Sequence, residues 1–538
     1  MVRRNNWLKA AMWGLCAVGA FAIAGCERQS SSAVAASSEP PKKLPMVELE
    51  ENPAFPLAKH LESKDIAAGA VPYAQLLDDG AKLFHTNYNG LDGVGMKRTV
   101  GGVPVNRFSV GPAGGGQPLQ IGAQSCGACH ALPSGAGFGL AHTRVFFDGT
   151  VSGKPPFSPR ATTSLYGNGV VQLLAEEMTE QLLAARDAAA AAAKGKPGTP
   201  ATQPLKANGV DFGSVTATAA ANGDVTFDMS KVRGVSPDLV VRPLGWKGQI
   251  AAVRNFSTAA STFGLGMEPE EFVWRLGEKA GTDPDGDGVS REFSVGDITA
   301  MTVYNASQPV PAELTRLAEL GFVAAPDAAA KARINKGRQL FADAGCATCH
   351  VPEMHLANTV FEEPTLRGGG NYIDHFLASK DPDYDPKRPA RFDLLKDSEE
   401  PRLEGAPGGG AIVRLYGDLK RHEMGRQLAD PIPQGVNDSS LVPLQYAGKV
   451  ATLSPSEFLT PELWGVGSTG PWLHDDRAGT LDEAILLHGE DMPPAVGQSG
   501  RSEGQEARDA YKKLSPDDQR TLVAFLKSLI TVSKEPRR

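Results

Sequence analysis

Two segments of this chain share one five-residue spacing: Cys126-Gly127-Ala128-Cys129-His130 and Cys346-Ala347-Thr348-Cys349-His350. Two thiols two residues apart, with an imidazole directly after the second, suit covalent haem attachment. Both thiols add to the haem vinyl groups and the imidazole ligates the iron on its proximal face. A zinc site or a thioredoxin-like redox pair would use the thiols alone. The His after each pair, in a chain with an export pattern, points to two c-type haems. What each does depends on the other face of the iron. An occupied sixth position makes an electron carrier, and an open or displaceable one admits oxygen or peroxide. The histidines to weigh for that position are His85, His142, His355, His422, His474 and His488. His60 lies near an N-terminal tether and His375 in a loop.

A second constellation is made of oxygen ligands. Asp283, Asp285 and Asp287 stand at positions 1, 3 and 5 of a loop with Gly288 at position 6, as at the front of an EF-hand-like calcium loop. Position 12 is Ser294 rather than Glu, so Glu292 or Asp297 would have to stand in. The other explanation is an Asp/Gly-rich turn without a metal.

These residues need helices to position them. Ala328 to Ala342 has helical apolar spacing and leads straight into Cys346. Gly337-x-x-Leu340-Phe341 there matches Gly80-x-x-Leu83-Phe84 ahead of Cys126, the mark of an internal duplication. Near the C-terminus, Ser515 is placed to cap a helix with Pro516 in its first turn. Glu176 to Ala193 has a helical pattern, 195–207 has linker composition, and 209–241 suggests a small hairpin. The expected fold is mainly α: two cytochrome c-like helical domains, 46–324 and 325–538, with long loops and a small β-containing insertion at about 176–241. The abundance of Gly (60) and Pro (40) fits the loops.

Residues 1–25 have a basic head, a short apolar run and Ile23-Ala24-Gly25 before Cys26. This resembles the lipobox of bacterial lipoproteins and implies a signal peptide over 1–25, acylation of Cys26 and a flexible tether over 26–45. The protein would then be exported, facing the periplasm and held at a bacterial membrane. Of six cysteines, Cys16 would leave with the signal and Cys26 take lipid, so none remains for a structural disulfide. The net charge is −8 with no basic run, which argues against a nucleic-acid partner.

From Thr460 to Gly489 the sequence reads TPELWGVGSTGPWLHDDRAGTLDEAILLHG. It resembles the C-terminal signature of bacterial di-haem cytochrome c peroxidases. With LYGDLKRHEMG from Leu415 and DGDGVSREFSVGDITAMTVY from Asp285, the likeness is closest to the di-haem oxidoreductase ("thiol oxidoreductase") branch and covers most of 75–530. In the family the distal ligand of the second haem lies fourteen residues after the signature His. It is Met in the peroxidases and Tyr in the related tryptophan-tryptophylquinone maturation enzyme. Here that position is His488, implying a second haem held by His350 and His488. His474 then has a role beside the haems rather than as a ligand, and His422 is a structural histidine. GWKGQIAAVR from Gly245 resembles the segment that sets a Trp between the haems, which gives that role to Trp246, although Lys247 replaces the family's Asp. Glu268 falls where the family has an acid near peroxide. His142 and Met267 are the candidates for a sixth ligand opposite His130, and an open site there is favoured over both.

The resemblance implies a peroxidase-like oxidoreductase. A small redox protein or quinol-linked donor would deliver electrons to the C-terminal haem, and peroxide or another small oxidant would be reduced at the N-terminal one. The rivals are an electron-transfer cytochrome without turnover and a di-haem oxygenase acting on an organic substrate.

Overall fold

The computed structural model describes residues 52–532, apart from 95–97, 101–102, 106–122, 134–135, 147–156, 366, 368–379, 432, 437–443, 447 and 492–500. The signal, the tether and Cys26 lie outside the described residues. Among the described residues no helix is long and apolar enough to cross a membrane.

Two helix pairs repeat one packing motif. α1 (Tyr73–His85) carries Gly80, Leu83 and Phe84, all buried. α2 (Asn168–Lys194) begins the insertion, α3 (Val295–Ala306) closes the first half, and α4 (Ala328–Asp343) opens the second. α5 (Leu481–Leu486) precedes His488, and α6 (Pro516–Leu526) ends the fold. α1 crosses α3 so closely that Gly80 lies against the carbonyl of Ala300, and α4 crosses α6 with Gly337 against the carbonyl of Thr521. A side chain at either glycine would fill the space the neighbouring backbone occupies. Each crossing then stacks a phenylalanine on an aromatic ring four residues further along the partner helix. Phe84 meets Tyr304 at 5.2 Å and Phe341 meets Phe525 at 5.5 Å between ring centres. The duplicated Gly-x-x-Leu-Phe motif is thus a duplicated helix crossing.

The caps are local in origin. Ser294 accepts from Asp297 N–H at the start of α3, and the Asp297 side chain answers the Ser294 backbone. Asp327 caps α4. Ser515 caps α6 with Pro516 in the first turn, as its sequence implied. Asp297 also accepts from the backbone of Leu61 and from the His60 ring, so the N-terminal segment is tied to the start of α3.

The insertion is larger and more ordered than its composition suggests. α2 starts at Asn168, eight residues before the expected Glu176, and buries Val170, Leu173, Leu174, Met178 and Leu182. It packs on a three-stranded antiparallel meander of β1 (Ala201–Ala207), β2 (Val210–Ala219) and β3 (Val225–Asp228). The stretch expected as linker therefore supplies a strand. Pro204 is tolerated because β1 is an edge strand with a register shift between Pro204 and Lys206. Asn208 and Gly209 turn the chain with φ of 48° and 83°, the left-handed pair that closes a two-residue hairpin.

The expectation of a mainly α fold is corrected. The described structure is 35% helical and 17% strand. Much of the difference lies in short two- and three-stranded pairings, among them Met354–Leu356 with Ala411–Val413, Val360–Glu363 with Ala390–Asp393, and Arg421–Glu423 with Glu457–Leu459. These segments have two to four paired residues each, too few for an alternating pattern to stand out from Gly- and Pro-rich loops.

Gly337→Ala is expected to destabilise the fold by about 1–3 kcal/mol, because the added methyl overpacks a crossing with no room for it. The check is the thermal unfolding midpoint. An unchanged midpoint would show that the crossing is not tight.

Candidate functional site

The second CxxCH motif sits on a single turn, Cys346–Thr348, directly after α4. Gly345, with φ of 86°, breaks the helix so that the turn can form. The His350 ring is partly buried, and its Nδ1–H donates to the Tyr416 carbonyl at 2.9 Å. Burial pulls its pKa down to about 4, so the ring is neutral and its Nε2 carries a free lone pair. His488, just past α5, is prepared in the same way. Its Nδ1–H donates to the Ala484 carbonyl at 2.7 Å, and burial lowers its pKa. A backbone carbonyl holding Nδ1 is the usual means of orienting a metal-binding imidazole.

The centres of the two rings lie 6.5 Å apart, with the ring planes tilted by 56°. A nitrogen–metal bond of about 2 Å on each side, plus the radius of each ring, sets two trans imidazoles roughly 6 Å apart. The residues present therefore fit an iron held between His350 and His488.

His422 lies beside this site in a different state. Burial disfavours its charge, but hydrogen bonds to Asp418, Cys349 and Glu503 outweigh that and raise its pKa to about 11. Its Nε2–H donates to Asp418 at 2.8 Å and its Nδ1–H to Glu503 at 2.7 Å. Both nitrogens are thus used, which suits a structural imidazolium. Cys349, Asp418 and His422 could also hold a metal ion by their spacing; Cys349 belongs to the second CxxCH segment.

The first motif repeats the arrangement with other neighbours. Cys126–Cys129 form one helical turn capped by the Ser125 side chain. His130 Nδ1–H donates to the Gly137 carbonyl at 3.1 Å, and burial pulls this ring down to about 4 as well. Phe84 stands 6.1 Å from His130, as Phe341 stands 6.3 Å from His350. His85 presses on Gly127 and bonds Tyr304 Oη at 3.0 Å, so it belongs to the packing beside the thiols. Met267 is fully buried in the main core. The His142 side chain lies outside the described residues. All four motif cysteines are free of disulfides.

The Thr163 backbone lies near enough to His130 to oppose the lowering of its pKa, and Thr163 is one of the residues that line a cavity. Leu165, Trp246, Phe256, Leu459 and Glu462 line it further on. Glu462 is the ionisable residue among those that line this cavity, and burial raises its carboxyl to about 7. The sequence reasoning passed over Glu462. The available signal was an acid inside Thr460-Pro-Glu-Leu-Trp464, where its neighbours are apolar or small.

Trp246 reaches from this cavity toward the second half. Its Nε1–H donates to the Ala161 carbonyl at 2.9 Å, and its ring is 6.5 Å from that of His474. His474 stacks on Phe458 at 4.4 Å, and burial holds its pKa down to about 4. Lys247, the departure from the family pattern, is fully buried. It donates to the Ser454 and Pro455 carbonyls, lies 3.3 Å from Asp430 and sits over the Phe458 ring. Asp430 also pairs with Arg160 at 2.6 Å. The Lys is therefore matched by an acid from another segment.

Glu268 is brought not to the cavity wall but to Asp283 and Asp285. Asp285 in turn groups with Asp287 and Glu292.

No family model matches the chain, and no curated protein matches it. Solved structures do match. One is described as "Crystal structure of a MauG-like protein associated with microbial copper homeostasis". It is 15% identical, covers 58% of this chain and 78% of its own, and has a TM-score of 0.28, a likeness too slight to define a shared fold.

Proposed function

We propose that the chain is a di-haem c-type cytochrome oxidoreductase of peroxidase type, with haems at Cys126/Cys129/His130 and Cys346/Cys349/His350. The observation that carries this reading is the unequal furnishing of two repeated sites. His350 has the ring of His488 6.5 Å away, whereas beside His130 the Thr163 backbone also lines a cavity with a tryptophan and an acid. The haems would supply electron storage at the second site and oxidant binding at the first.

The chain's own residues then have distinct tasks. The Gly137 and Tyr416 carbonyls orient the two proximal rings. Glu462 accepts or returns a proton at the cavity wall. Trp246 lies at the edge of that cavity with its indole toward His474, placed to pass an electron between the halves. In this proposal the protein is exported and anchored through Cys26 facing the periplasm. It takes electrons from a small redox protein or quinol-linked donor and passes them to peroxide or a related oxidant. The chain divides functionally into haem domains at 46–324 and 325–538.

The oxidised holoprotein is expected to show one low-spin and one high-spin haem, with rapid spectral change at the latter on adding hydrogen peroxide. Two low-spin haems inert to peroxide and carbon monoxide would make it an electron carrier instead. His488→Ala should convert the low-spin signal to high-spin, and persistence of that signal would refute the ligand. Glu462 is protonated below about pH 7 and a base above it. The rate with peroxide should therefore rise as pH increases through about 7. In Glu462→Gln the rate should be lower by roughly 100-fold and flat with pH. A variant that keeps the wild-type pH profile would remove Glu462 from the reaction.

A further inference from the structure

The acidic loop is more than a turn. Asp283 accepts the backbone N–H groups of Gly286 (2.7 Å) and Gly288 (2.8 Å), which curls the loop around itself. Gly286 and Gly288 have φ of 73° and 102°, conformations that favour glycine. The curl leaves the side chains of Asp285 and Asp287 grouped with Glu292, all with ligand oxygens within 4.8 Å of one another. Glu268, from a separate segment, forms an equally close group with Asp283 and Asp285. Asp285 belongs to both groups.

Glu292 makes the independent case for a ligand. It is 3% exposed. Its Oε2 accepts the Glu268 backbone N–H at 2.6 Å, while its Oε1 is buried with no hydrogen-bond partner among the described residues. Gly93, with φ of 98°, lies hard against this carboxyl, and no side chain would fit between them. Arg291, next in the chain, is committed elsewhere, to Glu62 at 2.8 Å and Glu270 at 3.2 Å. Burial raises the Glu292 carboxyl most, the hydrogen bond from the Glu268 backbone opposes this, and the charges of Asp287, Asp285 and Glu268 add to the rise.

We propose that one calcium ion binds among Glu268, Asp283, Asp285, Asp287 and Glu292. The donors are all hard oxygens, which suits calcium over zinc or copper. Oxygens on one ion at about 2.4 Å lie no further apart than twice that length, and the oxygens of each group lie within that limit of one another. The five ligands vary in depth and direction, and calcium tolerates this where magnesium demands a near-ideal octahedron.

Glu268 gives the site its consequence. It follows the turn Ser261–Leu265, which packs against the Cys126–Cys129 turn. In this assignment Glu268 is a ligand, and the ion ties the loop to the segment that supports the first CxxCH motif. The calcium assignment stands independently of the haem reading, because binding is measured directly.

The test uses the full chain, stripped with EGTA and titrated with calcium chloride by calorimetry, with the thermal midpoint followed in parallel. One calcium per chain is expected, with a dissociation constant below about 10⁻³ M. The midpoint should rise with calcium but not with equal magnesium. Glu268→Gln and Asp287→Asn should each weaken binding at least about tenfold; Asp287 is less buried than Glu268, so its variant keeps the test open if the Glu268 change impairs folding. No binding, an equal response to magnesium, or unchanged affinity in a folded Glu268→Gln chain would overturn the proposal. The peroxide and spin-state measurements read the haem sites, so either proposal can fail without the other.

Discussion

An imidazole can present a ligand lone pair in a fixed direction only if its other nitrogen is held. That constraint organises the haem-motif residues of this chain. His130, His350 and His488 each give Nδ1–H to a backbone carbonyl, from Gly137, Tyr416 and Ala484. A carbonyl can only accept, so the tautomer is settled by the bond itself. Burial keeps the rings neutral, which preserves the lone pair. His422 marks the contrast. Carboxylates hold both its nitrogens, so it remains cationic and has no lone pair to give. His350 and His488, each met by a carbonyl, thus differ in charge from His422, which carboxylates meet on both sides.

The carbonyls must themselves be placed, and here the helix crossings matter. Gly80 and Gly337 let two backbones touch, and each crossing brings a phenylalanine beside the histidine of a CxxCH segment. Beyond these crossings the halves diverge. The second half brings His488 to the ring of His350 through α5. Thr163 and Trp246 of the first half line a cavity together with Glu462 of the second. One packing scaffold therefore serves two sites, and the loops between its helices decide what each can bind.

What the sequence disclosed follows the range of the interactions. Motifs whose members are adjacent, such as the CxxCH segments, the Gly-x-x-Leu-Phe helices and the Ser515-Pro516 cap, were legible because their geometry is local. The His350–His488 pairing spans 138 residues and was reached through family resemblance rather than spacing. The short strand pairings were missed, since pairs of two to four residues are stabilised by what they pack on rather than by their own pattern. β1 was missed for another reason. Pro204 argues against a strand unless the strand is known to be an edge, and that is a property of the sheet.

Lys247 shows most clearly why the remainder was hidden. Read in sequence, a lysine where the family has an aspartate weakens the case for Trp246. In the fold Lys247 is sealed from water, and its ammonium is met by Asp430, two carbonyls and the face of Phe458. Asp430 also receives Arg160, and His474 lies 3.9 Å from it. A buried charge of this kind costs several kcal/mol when left alone, and is tolerated only where partners converge on it. Those partners come from 160, 430, 454–455 and 458, so no local window of sequence contains the compensation. The same convergence holds Trp246 in place, because the backbone of Ala161, next to Arg160, accepts from its indole and donates to the His474 carbonyl. The substitution that looked like a departure from the site is therefore part of the packing that fixes it.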